Sequence, residues 1–142
     1  MTCAGEVDEG EGTIWLQGRT LKLRPGLTFA QFREAGLPLR QRWTKPSLDK
    51  ESHVVDHRCE IEGDLFCINL FFESGRLTSL SLEMIRPEFE SAGWHDVVEK
   101  EQIRHKAHEE WLTDKELRSS SIWRGVAAKY DGRSVESYIA FI

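Results

Sequence analysis

Apolar and polar positions alternate along Ile14-Trp15-Leu16-Gln17-Gly18-Arg19-Thr20-Leu21-Lys22-Leu23, a pattern that predicts a β-hairpin. A two-residue turn at Gly18-Arg19 sets Leu16 against Leu21 and Ile14 against Leu23, so all four share one face. Pro25-Gly26 ends the second strand. Thr28 followed three residues later by Gln31 reads as a capping box, with Leu27 and Phe32 placed for a hydrophobic staple. Gly36 is the natural stop, so a short helix is expected over Phe29 to Ala35. Residues 37–52, with Pro38, Pro46 and many charges, read as an irregular connection with a short extended piece near Arg42-Trp43.

The strongest alternation runs from His53 to Arg86. The Glu62-Gly63-Asp64-Leu65 turn is expected to pair Ile61 with Phe66 and Cys59 with Ile68. At Glu73-Ser74-Gly75 two registers compete. A two-residue turn opposes Leu70 to Ser79, whereas a three-residue turn with a bulge at Gly75 opposes Leu70 to Thr78, Ile68 to Leu80 and Phe66 to Leu82. The second gathers Phe66, Ile68, Leu70, Leu80, Leu82 and Met84 on one face and is preferred for that reason. Cys67, Asn69, Ser79, Ser81 and Glu83 then share the other face with Phe71 and Leu77.

Pro87 stops that meander. Asp96 is an N-cap for a helix reaching Leu112 or Leu117, in which Ile103, Ala107 and Trp111 recur at helical spacing. Glu101, Arg104, His108 and Trp111 form a second, polar stripe, and wherever it meets a sheet its charges must be paired. Strands near Ile122–Tyr130 and Val135–Ile142 flank the turn signal Asp131-Gly132-Arg133. The expected order is β-β-α-β-β-β-α-β-β: an α+β domain with an antiparallel sheet of about seven strands and two helices packed on one face.

A length of 142 residues, 39% hydrophobic and 30% charged, suits one domain with a core of its own. No apolar run is long enough to span a bilayer, and the start lacks the basic and apolar regions of a signal peptide. The formal net charge of -5 is unevenly spread. Residues 1–12 hold Glu6, Asp8, Glu9 and Glu11 without a base, together with three glycines, and read as a disordered acidic tail that leaves 13–142 as the single domain. Residues 13–50 are strongly basic and residues 56–101 strongly acidic. Either the two segments pair internally or they present opposite faces to a charged protein partner. The acidic segment disfavours nucleic acid as that partner.

Cys3, Cys59 and Cys67 lack metal-ligand spacing, and free thiols in a reducing compartment are expected. His53 and His57 lie on a predicted strand, too far apart to chelate one ion. His105 and His108, with Glu101 and Glu109 nearby, have spacing that zinc accepts, but a helix surface with one His packed inward is the stronger reading. No metal or cofactor is expected. There is no GxSxG, HExxH, Walker loop or CxxC, and nothing sets one carboxylate apart as a general base, so the chain reads as non-enzymatic.

The stretch Ile61 to Leu77 (IEGDLFCINLFFESGRL) and the stretch Lys100 to Leu112 (KEQIRHKAHEEWL) resemble a group of small cytoplasmic proteobacterial proteins. In these an opening hairpin and a short capped helix come first, and a Trp-Gly-x-Val…Tyr-Asp strand pair closes the chain. Here the closing segment reads Trp123-Arg124-Gly125-Val126 and then Tyr130-Asp131, one residue longer at the Trp-Gly step. Such proteins are similar to the immunity proteins of type VI and other contact-delivered toxins. The resemblance implies a cytoplasmic antidote that binds one cognate protein toxin and blocks it. The acidic balance of residues 56–101 places the expected contact at Glu60, Glu62, Asp64 and Glu73 near the hairpin ends, with Phe71 as an apolar anchor in a patch with Leu77 and Trp15. The alternative is a secretion chaperone or effector adaptor holding an apolar segment of its client. A homodimer is compatible with both.

Overall fold

A computed structural model describes residues 3–142. Ten strands form one mixed sheet: β1 (Cys3–Asp8), β2 (Thr13–Leu16), β3 (Leu21–Lys22), β4 (Leu39–Lys45), β5 (Lys50–Val55), β6 (Cys59–Ile61), β7 (Asp64–Glu73), β8 (Arg76–Met84), β9 (Val126–Asp131) and β10 (Glu136–Phe141). Two helices, α1 (Phe29–Glu34) and α2 (Val97–Asp114), accompany them. No helix among the described residues is long and apolar enough to cross a membrane.

The main path is β3-β2-β1-β6-β7-β8-β10-β9. β7 organises it. The first half of its outer edge takes β6, through Ile61↔Asp64 and Cys59↔Phe66, and the second half takes β5, from Val54↔Asn69 to Lys50↔Glu73. β4 hangs from β5. The sheet therefore branches at β7, and its two arms share a single long strand.

Several expectations are corrected. The sheet is mixed rather than antiparallel, because β1 runs parallel to β6 through Cys3↔Cys59, Ala4↔Glu60 and Gly5↔Ile61. It has ten strands rather than about seven. The acidic N-terminal stretch is no tail from residue 3 onward; residues 1–2 lie outside the described residues. Its acids find cations on the next hairpin, where Glu6 pairs with Arg19 and Glu11 with Lys22 at 2.6 Å. Trp15 donates its indole N–H to Asp8 at 3.0 Å. Gly12 (φ +70°) lets the chain pass so close to Ser119 and Ser120 that any Cβ would collide with their backbone. Glu11 there accepts the Ser121 amide through its carbonyl at 3.0 Å.

Cys3 and Cys59, expected as free thiols, form a disulfide across the parallel pair. Their facing positions put the Cα atoms 4.3 Å apart, just short of the usual range for a bridge. Cys67 is the free cysteine, on the opposite sheet face from Cys59 as its register requires. The 37–52 stretch is a hairpin, β4–β5, not an irregular connection. Both neighbouring turns are tighter than expected. Glu62-Gly63 (φ 48° and 93°) and Ser74-Gly75 (φ 52° and 75°) are two-residue turns with both φ positive. Cys59 consequently faces Phe66, two places from the expected partner, and a slip of two leaves every side chain on its own face. The bulge falls at Phe71–Phe72, where Thr78 is the extra residue, and not at Gly75. The pairs are Leu70↔Leu80, Ile68↔Leu82 and Phe66↔Met84, each two places from the one expected, and Leu77 turns into the core.

The core lies on the face that carries Phe66, Ile68, Leu70, Phe72, Leu80, Leu82 and Met84, all buried. α1 meets it through Phe32 against Phe72 (ring centroids 6.0 Å apart) and α2 through Trp111 against Phe66 (5.0 Å). The α1 box is visible as the Thr28 amide donating to Gln31 Oε1 at 3.0 Å. Trp123 is fully buried, and its indole N–H donates to Thr13 Oγ1 at 3.0 Å, whose own O–H goes to the Leu23 carbonyl.

Candidate functional site

The other face of the β4-β5-β7-β8-β10-β9 arm carries neither helix. Strand register sorts its side chains into rows that cross the strands. One row is Trp43, Ser52, Phe71 and Ser79. The next is Arg40, Val54, Asn69, Ser81, Ala140 and Ala127. A third pairs Cys67 with Glu83 and Tyr138 with Lys129. Ser81, Ala140 and Ala127 keep one end of the middle row low, and a groove of about 410 Å³ lies there between Arg42 and Phe71 on one side and Glu83, Lys129, Glu136 and Tyr138 on the other. Arg42 is the extra residue at a β4 bulge and donates to Asn69 Oδ1 at 3.0 Å. Trp43 leans toward Phe71, with ring centroids 6.4 Å apart, and carries the Lys45 ammonium 5.2 Å above its ring.

Glu83 is the charged group sunk deepest into that wall. Burial pushes its carboxyl pKa up, against the opposing pull of Arg104 at 3.2 Å. Arg104 belongs to α2 and also pairs with Glu101, which is buried and accepts both the amide and the hydroxyl of Ser137 at 3.1 Å. His108, fully buried, accepts the Met84 amide on Nε2 at 3.0 Å. The polar stripe of α2 thus faces the sheet with its charges paired, as its spacing required. Burial lowers the His108 pKa to about 3, which keeps the ring neutral. His105 pairs with Glu109 at 2.7 Å instead of joining His108. No group of three or more His, Cys, Asp or Glu among the described residues is placed to hold a metal ion.

The acidic residues singled out in the sequence do not form one patch. Glu60 is exposed on β6. Glu62 is tied down, accepting the Val7 amide at 2.6 Å with Lys115 3.8 Å away, and Asp64 is paired with Arg86 at 2.8 Å. Glu73 sits at the far end of β7, roughly 30 Å from Asp64 at the rise of an extended strand. Of the expected anchor patch, Phe71 is half-buried on the groove, but Leu77 is in the core and Trp15 lies in the β1–β2 arm. Among the described residues one ion pair, Arg40–Asp56 at 3.2 Å, links the basic segment to the acidic one.

Sequence reasoning missed Trp43, Arg42 and Tyr138 as neighbours of Phe71. No apolar alternation marked them: Lys50 to His53 are all polar, and Arg40 to Lys45 are all exposed.

A second hollow, lined by Phe29, Arg33, Leu37, Pro38, Leu39, Glu51 and His53, holds a His53–Glu51 pair at 2.7 Å. Such a pair can pass a proton, but no Ser, Cys, Thr or Lys lines the hollow to act as nucleophile. No family model, no curated protein and no solved structure was found to match this chain.

Proposed function

We propose that this protein is a non-enzymatic cytoplasmic immunity protein that binds and neutralises a cognate toxin delivered by a type VI or related contact-dependent system, and that the toxin seats on the open face of the sheet. The observation that carries this reading is the uncovered groove, with Phe71 and Tyr138 set among Arg42, Glu83, Lys129 and Glu136 and with Trp43 beside Phe71. Aromatic anchors within a charged rim are the usual energetic make-up of a protein interface. The resemblance of residues 61–77 and 100–112 to immunity proteins supports the same reading. The many polar groups lining the groove favour a folded, charged partner over the extended apolar segment that a secretion chaperone would hold. Exposed Glu60 and Glu73 flank the face from opposite ends and would steer the encounter rather than hold it.

Co-expression with candidate toxin domains tests this. Wild-type protein should protect cells and co-purify with one of them. Trp43→Ala/Phe71→Ala should weaken that complex by about 30-fold or more, the scale of a central aromatic hot spot, with the melting temperature little changed. A folded double variant that protects as well as wild type would sink the proposal for this face.

A further inference from the structure

We propose that the Cys3–Cys59 bridge is a redox latch on β1 alone, and that reducing it lets β1 leave the sheet while the other strands stay folded. β1 lies between two neighbours, antiparallel to β2 and parallel to β6. A strand so placed is commonly held by apolar side chains as well as by its ladders. β1 has few. Within Cys3–Asp8 the one buried residue is Cys3, half of the bridge. Val7 packs against the core in part, and the rest are Ala4, Gly5, Glu6 and Asp8.

The core beside β1 is made by its neighbours. A Cβ at Gly5 would lie 3.0 Å from Leu16 of β2 and 3.2 Å from Ile61 of β6, so those two side chains close over the bare glycine. Leu16, Ile61 and Cys59 are all fully buried. What β1 supplies is backbone pairing, the Glu6–Arg19 and Asp8–Trp15 contacts and the Val7 amide on Glu62. Water can take over every one of these after release. The covalent bond is what replaces the missing apolar contacts.

The chain also has a pivot for the movement. Gly12 is wedged against Ser119 and Ser120, and Glu11 holds the Ser121 amide, so the start of β2 is fixed. Between that point and β1 lie Glu9 and Gly10, both exposed.

The latch opens by thiol–disulfide exchange with a small thiol. Its thiolate attacks one sulfur and forms a mixed disulfide, and the other cysteine leaves as a thiolate that takes a proton. A second small thiol then frees the remaining cysteine, and the two small thiols depart joined as one disulfide. An oxidised small thiol closes the latch by the reverse route. Both sulfurs are buried, so exchange is slow and waits on fluctuations of β1. The latch does not rest on the toxin-binding reading.

Hydrogen exchange of the full chain, read by mass spectrometry on residues 3–8 and 66–82 with and without dithiothreitol, tests this in a series of sub-denaturing urea concentrations. With the bridge intact, both segments should exchange slowly. After reduction, residues 3–8 should exchange at least about tenfold faster than residues 66–82, at a rate that urea leaves unchanged, the mark of local release. Residues 66–82 should keep the urea slope of whole-domain unfolding. Cys3→Ser/Cys59→Ser should behave as the reduced protein; if it fails to fold, reduced wild type carries the test by itself. Reduced residues 3–8 that share the rate and urea slope of residues 66–82 would make the bridge a staple of the whole domain and overturn the proposal. So would fast exchange of residues 3–8 with the bridge intact, or three free thiols in protein treated with oxidised glutathione.

Discussion

The amides of Met84 and Ser137 are both taken by side chains of α2. The β8–β10 ladder pairs Leu80 with Phe141, Ser81 with Ala140 and Leu82 with Ile139, so past Glu83 and Tyr138 its next hydrogen-bonded rung would be Met84 with Ser137. That rung is absent, and the strands part. His108 accepts from Met84, and Glu101 accepts from Ser137. The polar stripe of a helix that otherwise packs Trp111 and Leu112 into the core serves as hydrogen-bonding filler for a split in the sheet.

Removing that filler should be costly. Glu101→Ala leaves the buried Ser137 amide without a partner and Arg104 with Glu83 alone, and should lower unfolding stability in urea by about 2–4 kcal/mol. Glu101→Gln retains an acceptor and should lose clearly less. Arg104→Ala leaves Glu83 and Glu101 without their shared cation and should cost about 1–3 kcal/mol. Stabilities of both Ala variants within error of wild type would show the stripe to be incidental.

His108 makes stability depend on acid. Its pKa falls from 6.5 to about 3 on folding, so between those values the unfolded chain binds a proton that the folded chain does not. Stability should therefore decrease as pH drops from 6.5, by on the order of 4 kcal/mol by the lower end. Glu83, whose pKa is raised, acts with the opposite sign and softens the slope. His108→Gln offers Met84 an acceptor that does not titrate. Its urea midpoint should vary less between pH 6.5 and 4 than that of wild type, and an equal slope in the two proteins would rule His108 out as the cause.

The disulfide closes a sequence separation of 56 residues. On the chain-entropy account, reduction should cost about 4 kcal/mol. Cys3→Ser/Cys59→Ser should match the reduced wild-type protein in denaturation midpoint, and neither should respond further to reductant. A cytoplasmic antidote would meet the reduced form, so neutralisation should also be compared with and without the bridge.

Glu60 and Glu62 look alike in sequence and should behave differently. Glu60→Lys should leave stability within about 0.5 kcal/mol, as for most exposed sites. Glu62→Lys removes the acceptor of the Val7 amide and sets a second cation beside Lys115, and should destabilise the β1–β6 junction by about 1–2 kcal/mol. Equal melting temperatures would contradict this.

The meander and α2 were legible because each has one face in the core and one facing out, which writes a period of two or of 3.6 into the residues. Even the misplaced bulge left Phe66, Ile68 and Leu70 correctly inward. β4 was illegible because Arg40 to Lys45 are all exposed, so neither face imposes an apolar alternation. β1 was hidden by its charges: Glu6 and Asp8 flank a strand whose inward positions include Gly5, and at Gly5 a Cβ would press on Leu16 and Ile61. The disulfide was illegible for the same reason, since a pairing of Cys3 with Cys59 depends on knowing that residues 3–8 are a strand. The open face could be read from β7 and β8, but its Trp43 and Arg42 wall belonged to the unread strand.

The bond between Trp123 and Thr13 joins residues 110 positions apart. On the ribosome, the opening hairpin is thus made long before the groups that complete it, and Thr13 waits with a hydroxyl facing the vacant place of an indole until nearly the last strand pair has emerged. A chain cut anywhere between α2 and Trp123 would carry eight of the ten strands and still expose Thr13 and Leu23 to water. Such truncation products should be degraded rather than accumulate as working halves, and dividing the protein between two polypeptides should succeed only if both pieces are made together.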